Sequence, residues 1–121
     1  MYMLNKSEFG RVGEQISCKY LVDNNYKILD KNFYYKGGEI DIIAFDIEKN
    51  EVVFFEVKTR SNKKYGYPYE AVNSRKIDNI RKGIKYYLFR KKWQNKYIRA
   101  DILELYYKEN KFYINHIKQI I

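Results

Sequence analysis

Residues 51–59 read Glu-Val-Val-Phe-Phe-Glu-Val-Lys-Thr, and this segment constrains the fold more than any other. It is short, β-branched and aromatic, and almost continuously apolar, which describes a strand covered on both faces. Side chains alternate along a strand, so Val52, Phe54, Glu56 and Lys58 share one side while Val53, Phe55 and Val57 share the other. Glu56 and Lys58 therefore interrupt an otherwise apolar face. Burying them is costly unless they pair or bind something. With 121 residues the chain has room for a single core, read as one domain over 1–121.

The other segments arrange themselves around that strand. Ser7 can cap a helix running to about Asn24, with Phe9, Val12, Ile16 and Tyr20 recurring at helical spacing on one face. Tyr26 to Phe33 reads as a first strand. Gly37-Gly38 is a turn, and Glu39 to Phe45 is a second, β-branched strand. Residues 61–72 form a polar and aromatic loop. Asn73 or Ser74 caps a second helix to about Trp93, with Ile77, Ile80, Ile84, Tyr87 and Leu88 inward. Ile98–Tyr107 and Lys111–Ile117 form a closing hairpin around Glu109-Asn110. The order α-β-β-β-α-β-β gives an α/β or α+β sandwich. Its sheet is mixed, because hairpins pair antiparallel and a helical crossover permits one parallel pairing.

Net charge is +9, and it is not spread evenly. Residues 57–99 hold 14 basic and 2 acidic side chains, a net of +12, while the rest of the chain nets −3. Compositional bias toward lysine would spread it, so the clustering favours a polyanionic partner over a merely solvated basic face. The longest uncharged apolar run falls far short of the ~20 residues that cross a membrane. The first residues lack the apolar core of a signal peptide, and the single cysteine, Cys18, excludes an internal disulfide or a multi-cysteine zinc site. The expectation is a soluble, cytoplasmic protein with no membrane partner.

The chemistry concentrates on two strands. In the second strand Glu39, Asp41 and Ile43 share a side under strict alternation, and a turn joins this strand to the third. Pairing brings Asp41 near Glu56. Two carboxylates beside a lysine form a site for a hard cation, Mg²⁺ or Mn²⁺, which keeps several waters. Such an ion activates water and neutralises phosphate charge, and a lysine stabilises the charge that develops. Glu-x-Lys alone means little, since it also occurs as Glu109-Asn110-Lys111 on a turn. Only Glu56-Val57-Lys58 lies in a hydrophobic strand with an acid on its neighbour. A satisfied ion-pair network in a half-buried sheet is the alternative reading.

Asp41 followed fifteen residues later by Glu56-Val57-Lys58, within α-β-β-β-α-β, resembles the PD-(D/E)XK, restriction-endonuclease-like superfamily. More narrowly the chain resembles the uncharacterised YraN-like family of small bacterial proteins. The resemblance rests on Gly13-Glu14, on Gly38-Glu39-Ile40-Asp41-Ile42-Ile43-Ala44, on Phe55-Glu56-Val57-Lys58-Thr59-Arg60, on Gly66, Pro68 and Glu70-Ala71-Val72, on Lys76, and on Arg99-x-Asp101. It implies an α/β, restriction-endonuclease-like αβββαβ core with a mixed central sheet flanked by helices. It also implies a metal-dependent nuclease hydrolysing DNA phosphodiesters, with branched or structured DNA suggested by similarity to Holliday-junction resolvases. Asp41 and Glu56 then match the metal-binding carboxylates, with the Val57 carbonyl a third ligand. Lys58 matches the catalytic lysine. Glu14 matches a helical acid that approaches the metal, and the dimeric resolvases imply a homodimer. Tyr34 stands where an arginine is usual, and Ala100 where an aromatic is common.

Other residues carry two readings each. Glu14 lies opposite Phe9, Val12, Ile16 and Tyr20 on the helical wheel, which would leave it exposed and inert. Glu39 supports the metal from behind or is a surface acid. Arg60, Lys63 and Lys64, with Tyr65, Tyr67 and Tyr69, bind nucleic acid or pack on their own domain. Arg75, Lys76, Arg81, Lys82 and Lys85 contact backbone phosphates or line a solvated helix. Asp101 pairs with Arg99 or a loop amide. His116, Cys18 and Trp93 read as ordinary packing residues. The rival to the nuclease is a non-catalytic nucleic-acid-binding module serving DNA repair or replication. A weaker third reading is a protein-interaction subunit.

Overall fold

The computed structural model describes residues 6–60 and 73–121, with side chains from residue 8 onward in the first segment. Its elements are α1 (Lys6–Asp23), β1 (Tyr26–Tyr35), β2 (Gly38–Asp46), β3 (Glu51–Arg60), α2 (Ser74–Lys91), β4 (Ile98–Lys108) and β5 (Lys111–Ile117). The order and bounds match those expected to within two or three residues. The polar and aromatic loop expected at 61–72 lies outside the described residues.

The five strands form one sheet in the order β1-β2-β3-β4-β5. β3 and β4 pair parallel, and every other neighbour pairs antiparallel. The parallel pair is the one joined through α2, as a helical crossover requires. The fold is therefore α/β, an αβββαβ core with a mixed central sheet flanked by helices and extended by β5.

β3 sits mid-sheet and is covered on both sides. Val53 and Phe55 pack with Leu21 of α1, Ile42, Ala44, Leu103 and Leu105. Val52 and Phe54 pack with Ile80, Ile84 and Tyr87 of α2. The alternation read from the sequence thus divides the two cores.

α1 turns differently from the expected wheel. Its buried residues are Gly13, Ser17 and Leu21, four apart, with Ile16, Cys18 and Tyr20 beside them. The helix lies so close to β3 that a Cβ on Gly13 would sit 2.1 Å from Thr59 Oγ1. Ser17 is buried without penalty because its hydroxyl donates to the Gly13 carbonyl at 2.8 Å. A small, polar stripe is invisible to a search for apolar periodicity.

α2 is capped as its sequence suggests. The Asn73 side chain accepts from the Lys76 amide at 2.9 Å, and Lys92 closes the far end in a left-handed conformation. The close packing of α2 on β1 also depends on glycine. A Cβ at Gly83 would meet Tyr35 Cε1 at 2.6 Å.

The β1–β2 hairpin departs from strict alternation. Ile40 and Ile43, three residues apart, both pack in the α2-side core. Across from them Lys31 pairs with Ile42 and Phe33 pairs with Ile40. Asn32 and Asp41 fall between these pairs, and Asn32 has a φ of 52°. Both strands slip by one side at the same place, made possible by an asparagine in the left-handed region. Glu39 therefore does not share the side of Ile43. It alternates from Ile40 onto the α1 side.

Candidate active site

The site lies where β2, β3 and the first turns of α2 meet. Regular pairing of β2 with β3 runs from Asp46–Glu51 to Ile42–Phe55. One step further on, Asp41 uses its side chain, Oδ2 accepting from the Val57 amide at 2.8 Å. Val57 thus enters the site through its N–H. The side chain of Val57 packs on the α1-side core.

Glu56 and Lys58 point together to the α2 side, and Lys58 Nζ lies 3.0 Å from Glu56 Oε1. Lys76 of α2 reaches the same oxygen at 2.6 Å. Lys76, expected among the nucleic-acid contacts, is seated on the central carboxylate. The other oxygen, Glu56 Oε2, is buried with no hydrogen-bond partner. A cleft beside this pair is lined by Tyr35, Gly38, Ile40, Glu56, Lys76 and Ile80.

A second acidic group adjoins on the α1 side. Burial raises the Glu14 carboxyl, Glu39 raises it further, and Lys31 acts in the opposite direction. Glu14 is half-buried, with Oε1 unpartnered, so the helical-wheel expectation of an exposed Glu14 does not hold. Burial pushes Asp41 up to about 7. The Val57 amide pulls it down, while the hydrogen bond the protonated carboxyl donates to Glu39 and the charges of Glu39 and Glu56 add to the rise. Tyr34 stands exposed at this edge, its hydroxyl raised chiefly by its hydrogen bond to Glu39.

These residues suit a hard cation. The donors are carboxylate oxygens, two of them buried and unpartnered at Glu14 and Glu56. Among the described residues no three acidic, histidine or cysteine side chains converge to enclose an ion. That arrangement matches a cation held by one or two carboxylates and its own waters better than a closed protein cage.

Of the expected nucleic-acid contacts, Arg75 and Arg81 are exposed on α2. Arg60 is half-buried, its Nε 3.2 Å from Glu104 Oε2. Lys63 and Lys64 lie outside the described residues. Sequence reasoning missed Glu104, fully buried on β4 directly across from Lys58. Its signal was available, since an acid between Leu103 and Leu105 interrupts a strand as Glu56 does.

The Arg99–Asp101 pair anticipated from sequence sits on β4 beside Val53 and Phe55 of β3. Arg99 is buried and bonds Asp101, Asp46, Glu51 and the Tyr26 hydroxyl. Asp101 also accepts from the Gln119 amide and contacts His116 Nε2 at 2.7 Å, while His116 Nδ1 meets Tyr20 at 2.9 Å. This network joins α1 to all five strands.

The fold and site together define a small α/β protein carrying a carboxylate–lysine cluster on its mixed sheet. The chain belongs to the uncharacterised protein family UPF0102, whose description matches residues 13–105, and this bears out the YraN-like resemblance. A UPF0102 protein from Clostridioides difficile (strain 630) is 43% identical over 114 residues, covering 94% of this chain and 96% of that one. One from Caldanaerobacter subterraneus subsp. tengcongensis is 40% identical over 121 residues, covering 100% and 98%. Among solved structures, a repair endonuclease from Pyrococcus abyssi matches with a TM-score of 0.46 and 13% identity, over 91% of this chain and 42% of that one. This chain spans less than half the length of that protein. Among the described residues no helix is long and apolar enough to cross a membrane.

Proposed function

We propose that the protein is a metal-dependent nuclease hydrolysing DNA phosphodiesters, with branched or otherwise structured DNA as the substrate class. The observation that carries this reading is Glu56 at the cleft, with Lys58 and Lys76 both on its carboxylate and the Asp41 carboxyl close enough on β2 to feel its charge. Asp41 and Glu56 would hold Mg²⁺ or Mn²⁺, with the Val57 carbonyl as a further ligand and Glu14 close behind. Bound there, the ion supplies an activated water and neutralises phosphate charge.

The chain's own residues do the rest. Lys58, partly exposed beside Glu56, presents its ammonium to a phosphate oxygen and stabilises the charge that develops on it. Lys76 adds a second cation from the neighbouring helix, so that the cleft edge attracts a phosphodiester before any chemistry. The Val57 amide fixes the orientation of the Asp41 carboxylate. Gly38 lets the backbone come close to Tyr35, whose hydroxyl donates to the Asn79 carbonyl and ties the hairpin to α2.

A second reading, a nucleic-acid-binding module without catalysis, draws on one observation. Glu56 Oε1 already has two lysine partners, so part of the cluster is satisfied internally. The deciding experiment incubates wild type, Asp41→Asn and Lys58→Ala with labelled linear, single-stranded, flapped and four-way DNA, under Mg²⁺, Mn²⁺ or EDTA. The nuclease reading expects cleavage that needs the ion and both side chains. Retarded bands without cleavage in every condition would establish the binding module. Equal cleavage by all three proteins would remove these residues from the chemistry.

A further inference from the structure

α2 carries seven basic side chains and one acid, Asp78. Its inner face is taken by Ile80, Gly83, Ile84 and Tyr87. Directly opposite, Lys82, Lys85 and Phe89 recur at helical spacing, and all three are exposed. Phe89 is 79% exposed, the highest among the large hydrophobic side chains of the described residues. Tyr86, 49% exposed, lies beside it, with the Arg90 guanidinium 6.0 Å over its ring. A phenyl group held out in water among cations does nothing for the core of this domain.

We propose that the outer face of α2 is a docking surface for unpaired nucleic-acid strand, with Phe89 and Tyr86 stacking on bases and Lys82, Lys85 and Arg90 taking phosphates. Charge decides the occupant. A second copy of this chain would bring an equally cationic helix to the same face and be repelled, whereas a polyanion with flat apolar bases matches both features. Every base offers a face for stacking, so such a platform selects strands with accessible bases and not a sequence. The surface and the cleft share one helix: Lys76 reaches Glu56 from the sheet-facing side of its first turns, and Lys82, Lys85 and Phe89 follow on the outer side. At 1.5 Å per residue, the helix runs about 23 Å from Lys76 to its end at Lys91, enough to follow several nucleotides away from the site. This inference rests on the nucleic-acid reading of the cleft and narrows it to substrates with single-stranded segments.

The test measures binding in EDTA, so that cleavage plays no part. A fluorescent oligothymidylate and a duplex of equal length, about twenty nucleotides, are titrated with wild type, Tyr86→Ala/Phe89→Ala and Phe89→Trp. The double variant is expected to lose roughly 10-fold or more in affinity for the single strand, with the duplex little changed. Phe89→Trp is expected to keep wild-type affinity and an added Phe89→Leu to lose it, which separates stacking from mere surface hydrophobicity. Unchanged single-strand affinity in the double variant would overturn the proposal. So would sedimentation showing that wild type self-associates while the double variant does not. Stacking-dependent binding without metal-dependent cleavage would sink the nuclease and leave this surface standing. Cleavage with no contribution from Phe89 or Tyr86 would do the reverse.

Discussion

At the scale of single residues, Asp41 shows how a strand acid comes to lie among other acids. Its carboxylate is buried, accepts the Val57 amide and lies among Glu39 and Glu56. Asp41→Asn keeps an oxygen to accept that amide and removes the charge. The variant is expected to fold, to bind nucleic acid in EDTA as wild type does, and to lose cleavage by about 100-fold or more. Its melting temperature should no longer rise on adding Mn²⁺, and a full rise would exclude Asp41 as a ligand. Asp41, Glu56 and Lys58 were legible because each breaks an apolar or β-branched run. The partnership of Lys76 with Glu56 was not, since nothing local to residue 76 records where α2 docks. The helical-wheel alternative that would expose Glu14 failed for a related reason, as its burial depends on a face of α1 built from glycine and serine.

At the scale of elements, close approach sets position. Gly13 lets α1 settle on Thr59 of β3, and a methyl there collides at 2.1 Å. Gly13→Ala should cost about 1–3 kcal/mol in urea unfolding. Pairing it with Thr59→Ala should recover part of that loss, and strictly additive effects would exclude the contact as the cause. α2 depends on its cap in the same way. Asn73→Ala should cost about 1 kcal/mol and Asn73→Asp should restore most of it, both read from thermal or urea melts. The strands and α2 were legible in the sequence, because period-two and period-3.6 patterns are written in large side chains. The slip in β1 and β2 was not. An asparagine announces tolerance of a left-handed conformation without saying that one is used.

The molecule as a whole is tied together by Arg99. Burial opposes charge on Asp46 and Asp101. At Asp46 the Arg99 guanidinium and the Lys49 amide more than reverse that, and at Asp101 His116, Arg99 and the Gln119 amide do so. Both carboxyls therefore lie below their ordinary value of 3.8 in the folded protein. The folded state binds their protons less tightly than the unfolded chain does. Their stabilisation is complete above about pH 4–5 and is lost as pH falls through the folded values. Acid titration of wild type, followed by circular dichroism, should show cooperative unfolding below about pH 4. Arg99→Met leaves buried acids without their cation and should cost about 3–5 kcal/mol at pH 7, moving the acid midpoint upward. An unmoved midpoint would show that the network does not set acid stability. The short-range Arg99–Asp101 pair was visible in the sequence. Asp46, Glu51, Tyr26 and His116 join it from four other strands, and no spacing rule reaches that far.

The slip at Asn32 and Asp41 works as a change of parity. On the β3 side of it, odd positions of β2 face α2. On the turn side, the even position Ile40 does so. The tip and base of the hairpin thus follow opposite rules for which substitutions they tolerate. A saturation scan should show the tolerant and intolerant positions exchanging phase at residue 41.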